Sequence, residues 1–241
     1  MPAPLNVQRN NYHENKKNNV VFTPDWLSAF IANLCKYHFL PKPLDVKYTE
    51  PYIIFDPAVG TGQLLKYFTD EFDDYMRTYG CDIIDYPDRE GLNGFWHESF
   101  LEPHHFDFTP DLVVVNPPFN TYKLNKEWLK ENKMGKALLP EVFIDKIFSL
   151  WPGVKLVSIV PMGFRLNQRM KSSRWKKYYE LERSNRERIT SIMSIPLDTF
   201  EGVEFHAEVL FWNMYNMQAH YWANENYIRR YQDDKTTGDM A

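Results

Sequence analysis

Asp111-Leu112-Val113-Val114-Val115-Asn116-Pro117-Pro118-Phe119-Asn120 is the stretch on which the fold turns. An unbroken apolar run with three β-branched residues, closed by an amide, two prolines and an aromatic, predicts a buried strand that stops at its carboxyl end in a rigid polar loop. Open α/β sheets bind their ligands at those ends. Pro117 and Pro118 carry no N–H and fix their own φ, so the loop turns backbone carbonyls outward beside the Asn116 amide and the Phe119 ring. Such a row of acceptors next to a stacking plate suits a planar group bearing an NH2, such as the exocyclic amine of a nucleobase. An ordinary strand with a proline turn shares the same local pattern.

Upstream, Tyr52-Ile53-Ile54-Phe55-Asp56-Pro57-Ala58-Val59-Gly60-Thr61-Gly62-Gln63-Leu64-Leu65 reads as a short apolar strand, a Gly-x-Gly turn and then a helix running to about Met76. Gly60 and Gly62 remove Cβ atoms where a ligand approaches the backbone, and a helix N-terminus behind them offers N–H groups. The third glycine of the dinucleotide fingerprint is missing, and so is the Lys-Ser/Thr ending of a phosphate loop. A nucleoside without a pyrophosphate fits better. Tyr79 to Ile84 reads as a second strand, and Asp82 stands twenty residues past Gly62, the offset at which nucleotide-binding α/β folds place a carboxylate on ribose hydroxyls. Asp85 is its nearby rival.

Further out, Thr23-Pro24 opens a predicted helix from 24 to about 38, with Trp26, Leu27, Phe30, Ile31 and Leu34 at helical spacing. Thr23 is a good N-cap as well as a candidate site residue. Residues 1–19 are Asn-rich, without apolar periodicity, and are expected to form a flexible arm, with one domain over 20–241. Downstream, 120–134 is expected to be a polar loop over the site, 138–151 a helix, and 154–160, 189–195 and 206–213 strands. The aromatic segment 215–231 is expected to pack back on the domain. Residues 165–188 hold nine Lys or Arg against three Glu. That run is either a solvated helix face or a phosphate-contacting element built from Arg169, Lys171, Arg174, Lys176 and Lys177.

Composition narrows the class. A chain of 241 residues with 44% hydrophobic and 16% aromatic content buries a substantial core as one domain and leaves no room for a second large one. A net charge of −4 excludes a uniformly basic nucleic-acid binder but not a local basic face. Two isolated cysteines, Cys35 and Cys81, and seven unclustered histidines imply a reducing compartment and no metal site. With no apolar leader and no run of membrane-spanning length, the expectation is a soluble, cytoplasmic protein that does not engage a membrane.

Three stretches taken together, Phe22-Thr23-Pro24, Asp56 to Gly62 and Asn116-Pro117-Pro118-Phe119, resemble in order and spacing the S-adenosylmethionine-dependent N6-adenine DNA methyltransferases of the gamma motif order. The resemblance covers about residues 20–213 and implies a single-domain, Rossmann-like class I methyltransferase, with a seven-stranded mixed sheet and helices on both faces. It further implies a cofactor set of Thr23, Asp56, Ala58, Gly60, Gly62, Asp82 and Phe100, and a catalytic set of Asn116, Pro117 and Phe119. Phe119 and, more loosely, Phe200 are the implied base-contacting aromatics. Where the family usually has Asp before the cofactor-covering aromatic, this chain has Ser99. About 28 residues follow residue 213, so target recognition is expected from loops, the 165–188 segment, a partner subunit or a second copy of the chain. RNA and a protein glutamine amide are alternative substrates, and a catalytically idle binding subunit is the alternative from another class.

Overall fold

A computed structural model describes residues 22–39, 51–69, 75–102 except 88 and 90, 106–119, 139–162, 187–200 except 198, and 206–223. Within these, helix α1 (Asp25–His38) precedes strand β1 (Tyr52–Asp56), a one-turn helix α2 (Lys66–Thr69), and strands β2 (Met76–Asp82), β3 (Gly94–His97) and β4 (Leu112–Val115). Helix α3 (Leu139–Leu150) and strands β5 (Lys155–Pro161), β6 (Ile189–Ser194), β7 (Ala207–Trp212) and β8 (His220–Trp222) follow. The strands form one sheet in the order β3-β2-β1-β4-β5-β7-β6-β8. Neighbours pair in parallel except at β5–β7 and β6–β7, so β7 alone runs against the rest.

The sheet is buried on both faces, which is why β4 is apolar at every position: Leu112, Val113, Val114 and Val115 are all fully buried. Alternation then sorts the side chains. Ile54, Leu112, Val114, Val157, Ile159, Val209 and Phe211 join Leu27, Ile31 and Cys35 of α1 and Phe68 of α2 in one core. Phe55, Val113, Val115, Leu156, Val160, Leu210 and Trp212 join Val142, Phe143, Ile147 and Phe148 of α3 in the other. Helices therefore cover opposite faces, as an α/β doubly covered sheet requires.

Several expectations are adjusted. Among the described residues the sheet has eight strands: the short edge strand β8 adds to β6 within the segment expected to pack back. There Tyr221 shares a hydrogen bond with His38 at the end of α1 (3.2 Å), while Trp222 stays 70% exposed. Met76 opens β2 rather than closing a helix, and the burial of 76–82 alternates as a strand's does. The helix after the glycine turn starts only at Lys66. The N–H groups of Leu65 and Lys66 are spent on the Gly62 carbonyl, so no N-terminal anion site arises there. Finally, the boundary residue of α1 is Pro24, with no side-chain cap. Thr23 is freed from capping.

The expected arm 1–19, the loop 120–134 and nearly all of the basic run 165–188, including Arg169, Lys171, Arg174, Lys176 and Lys177, lie outside the described residues.

Candidate active site

Strand order reverses between β1 and β4: from β1 the chain proceeds outward through β2 and β3, and from β4 it proceeds the other way to β5. At such a switch point the loops leaving adjacent strands diverge and open a crevice beyond their carboxyl ends. Asp56 closes β1 and Asn116 follows β4, so the two lie on either side of that point.

The turn after β1 is tied to the end of β2. Val59 N–H donates to the Cys81 carbonyl (3.1 Å), and Gly60 N–H to Oδ2 of Asp82 (2.8 Å). The close approach requires glycine on the neighbouring strand, since a Cβ on Gly80 would lie 2.6 Å from Cβ of Val59. Gly60 and Gly62 have φ of +53° and +89°, in the left-handed region that glycine enters without steric cost. The second carboxylate oxygen of Asp82 accepts Ile84 N–H (2.9 Å). Asp82 is half-buried, and beyond it Ile83 and Ile84 expose apolar surface, at 64% and 39%.

Asp56 is buried and accepts the Ala58 N–H on Oδ1 (2.9 Å). Burial pushes its carboxyl up to about 8; the Ala58 N–H pulls the other way, and the nearby Asp82 charge adds to the rise. Cys81, next to it, has its thiol pushed far up, first by burial and then by Asp56, Glu98 and Asp82, which keeps the sulfur protonated and unreactive.

On the β4 side, the Asn116 side chain reaches Thr23. Its Nδ2 donates to the Thr23 hydroxyl at 3.1 Å. An amide is planar, so anchoring its nitrogen fixes the direction of its carbonyl oxygen as well. Thr23 is buried and Asn116 half-buried; Pro117 is buried, Pro118 exposed, and the half-buried Phe119 ring packs on the core shared with α1.

Across the crevice, Phe22 (46% exposed) rests on the glycine turn. A Cβ on Gly60 would sit 3.6 Å from its ring. Thus the segment 22–24 meets both walls, the turn through Phe22 and the β4 loop through Thr23.

In solved structures, the chain resembles a modification subunit of a putative type I restriction enzyme from Vibrio vulnificus YJ016, with a TM-score of 0.62 at 16% identity over 96% of this chain and 56% of that one. It also resembles the type I restriction-modification system methyltransferase subunit from Streptococcus thermophilus, with a TM-score of 0.56 at 12% identity over 90% and 53%. The fold is a methyltransferase fold. A Type ISP restriction-modification enzyme, LlaGI, solved as a nuclease-deletion mutant with a DNA substrate mimic, shares it at a TM-score of 0.51 and 11% identity over 91% of this chain and 29% of that one. The chain spans little more than half the length of the first two. No family model and no curated protein matches the sequence.

Within this methyltransferase fold, Thr23, Asp56, Ala58, Gly60, Gly62, Asp82 and Asn116 converge at the carboxyl ends of β1, β2 and β4. Two expected aromatics do not reach the crevice. Phe100 is 2% exposed and sits in a cluster of rings with Phe55, Phe106, Phe143 and Trp151, their centroids 5.6 to 6.4 Å from its own. Phe200 is 2% exposed in the opposite core. A ring buried on both sides has no face for a base. Ser99 turns its hydroxyl toward its own loop, where it accepts Leu101 N–H (3.3 Å).

Sequence reasoning missed Arg89, whose Nε donates to the Gly60 carbonyl at 2.9 Å. An arginine between two acidic residues in a polar loop carries no pattern that marks it. Phe22 was legible only as part of the Phe-Thr-Pro stretch.

Proposed function

We propose that the protein transfers a methyl group from S-adenosylmethionine to the exocyclic N6 of adenine in DNA, as a modification component of a restriction-modification system. The observation that carries this reading is the Thr23–Asn116 hydrogen bond, which holds an amide beside two prolines at the switch point, opposite a glycine turn and a carboxylate. The residues fit the cofactor. Gly60 and Gly62 keep side chains out of the turn that an adenosine would approach, with the Phe22 ring beside Gly60, and the two oxygens of Asp82 each keep a lone pair for a ribose hydroxyl. Ile83 and Ile84 offer an apolar surface for its base, and Thr23, Asp56 and Ala58 line the methionine side. When bound, S-adenosylmethionine supplies a methyl group activated by an adjacent sulfonium.

The protein's part is to make a poor nucleophile react. An adenine N6 lone pair is conjugated with the ring, so the nitrogen is planar and weakly nucleophilic. The Asn116 side-chain oxygen and the Pro117 carbonyl accept its two hydrogens, which draws it toward tetrahedral geometry and turns the lone pair out of the ring plane. Those hydrogen bonds strengthen as positive charge grows on nitrogen, so they favour the transition state over the ground state. Fixing both acceptors beforehand avoids reorganisation during the reaction, and proximity lowers the barrier further. Phe119 stacks on the base once it is extruded from the duplex.

The basic 165–188 segment contributes phosphate contacts to target recognition. The test is transfer of tritiated methyl to DNA, RNA and protein pools in parallel. Label confined to DNA and recovered as N6-methyladenine supports the reading; label in RNA or in glutamine replaces the substrate, and no label anywhere leaves a binding subunit.

A further inference from the structure

Asp82 and Arg89 act on the same two residues. The carboxylate of Asp82 accepts the N–H groups of Gly60 (2.8 Å) and Ile84 (2.9 Å). The guanidinium of Arg89 donates to the carbonyls of those same residues, Nε to Gly60 (2.9 Å) and Nη2 to Ile84 (2.9 Å). An anion thus takes both amide hydrogens and a cation serves both amide oxygens, so the glycine turn and the loop after β2 are braced from two sides.

Little of Arg89 is free for anything else. Its side chain is 7% exposed, Nη1 meets Asp85 at 3.1 Å, and Cζ stands 3.5 Å from the centroid of the Phe95 ring. Asp85 is 64% exposed, so that ion pair adds little to stability; the two carbonyl bonds and the stack on Phe95 hold the head in place. Only arginine presents donors in a planar fork able to serve two carbonyls and a carboxylate together. The turn it braces contains glycines at φ +53° and +89°, which bring no side-chain packing of their own to hold it.

The geometry points to Arg89 as a positioning residue for the cofactor: it fixes the glycine turn and the Asp82 carboxylate as one rigid unit before the adenosine arrives. This rests on the cofactor reading above. A binding site ordered in advance saves the entropy of ordering it during binding, so the benefit falls on cofactor affinity. Asn116 and Pro117, on the far wall, are untouched by it, so the chemical step is not affected.

The experiment is calorimetric titration of S-adenosylhomocysteine into the full chain and its R89M and R89K variants, with methyl-transfer kinetics and melting curves on each. In R89M, which keeps the apolar stem but no donor, the dissociation constant rises about tenfold or more, while kcat at saturating cofactor stays within about twofold. R89K falls between, since an ammonium reaches one carbonyl at a time. Amide hydrogen exchange over 57–64, measured without cofactor, speeds up in R89M more than in R89K. Unchanged affinity in either variant overturns the assignment, as does a kcat that falls as far as the affinity, or equal losses in both variants matched by equal falls in melting temperature. If R89M does not fold, R89K alone decides by the same criteria. A wild-type chain that binds no S-adenosylhomocysteine overturns the cofactor reading and this assignment together, whereas wild-type binding with unaltered variants overturns this assignment only.

Discussion

The Asn116 amide donates to the Thr23 hydroxyl across 93 residues of chain, at 3.1 Å. In the proposed reading, the Thr23 hydroxyl orients the Asn116 amide. Thr23→Val keeps the shape and removes the hydroxyl that accepts from Nδ2. Methyl transfer at saturating cofactor should fall roughly tenfold to a hundredfold, equivalent to about 1.4 to 2.7 kcal/mol of transition-state stabilisation. Thr23→Ser should retain most of the rate. Steady-state kinetics on both variants decide it, and a valine variant with wild-type turnover would remove Thr23 from the site.

Asn116→Ala tests the acceptor itself. Loss of one preorganised acceptor that matters in the transition state should lower kcat by about a hundredfold to a thousandfold while cofactor affinity stays within about twofold. Single-turnover rates and cofactor titration separate the two. Turnover near the wild-type value would exclude Asn116 from the chemistry.

Gly60→Leu should abolish cofactor binding. The substitution is strained at φ +53°, and the side chain beyond its Cβ would run into Phe22, whose ring already stands 3.6 Å from that position. Left-handed backbone costs a residue with a side chain about 1–2 kcal/mol, enough to displace the turn. Calorimetry reads the outcome directly, and binding at wild-type strength would count against the turn.

Asp56 predicts a pH dependence of stability. Its folded-state carboxyl is raised from 3.8 to about 8, mainly by burial. Between those values the folded chain holds a proton that the unfolded chain has released. Asp56 thus contributes most stability below about pH 4, loses it progressively as pH rises to about 8, and adds no slope above that. The slope is at most about 1.4 kcal/mol per pH unit. Asp56→Asn, which keeps an acceptor for Ala58 N–H, should flatten the profile over pH 5–8. Urea melts at three pH values suffice, and parallel wild-type and variant profiles would contradict the shift.

The basic segment separates a nucleic-acid substrate from a protein one. Neutralising Arg174, Lys176 and Lys177 to Gln should weaken duplex binding about equally for all sequences and flatten the salt slope by roughly one unit for each phosphate that no longer meets a cation, with cofactor affinity unchanged. Fluorescence anisotropy in a salt series, on duplex DNA and on single-stranded RNA, measures this. Equal slopes for wild type and triple variant would mean a solvated surface.

The strands that frame the crevice were legible because parallel strands buried on both faces must be apolar throughout, and β4 is the clearest case. Asn116, Gly60 and Asp82 were legible by their positions at strand ends. Thr23 was ambiguous, since a cap and a tertiary hydrogen bond ask for the same hydroxyl and only the folded chain says which partner arrives. The inward turn of Phe100 and Phe200 was beyond reach, as nothing local tells an aromatic that roofs a ligand from one that fills a core. Met76 continues the helical spacing before it in sequence, and only the folded chain, with Met76 and Thr78 buried and Arg77 and Tyr79 half-buried, shows the strand.

The position of β4 has a consequence for the order in which the molecule is made. Thr23, Asp56, Gly60, Asp82 and Asn116 have all left the ribosome once residue 119 is out. At that moment β4 has a neighbour only in β1; its other edge waits for β5, and Val113 and Val115 wait for α3 to cover them. A nascent chain at this stage carries an open strand edge and bare valines, the features that invite mispairing. The candidate site residues all precede α3 and β5 in synthesis, so the strand that carries Asn116 keeps one edge open until β5 has been made.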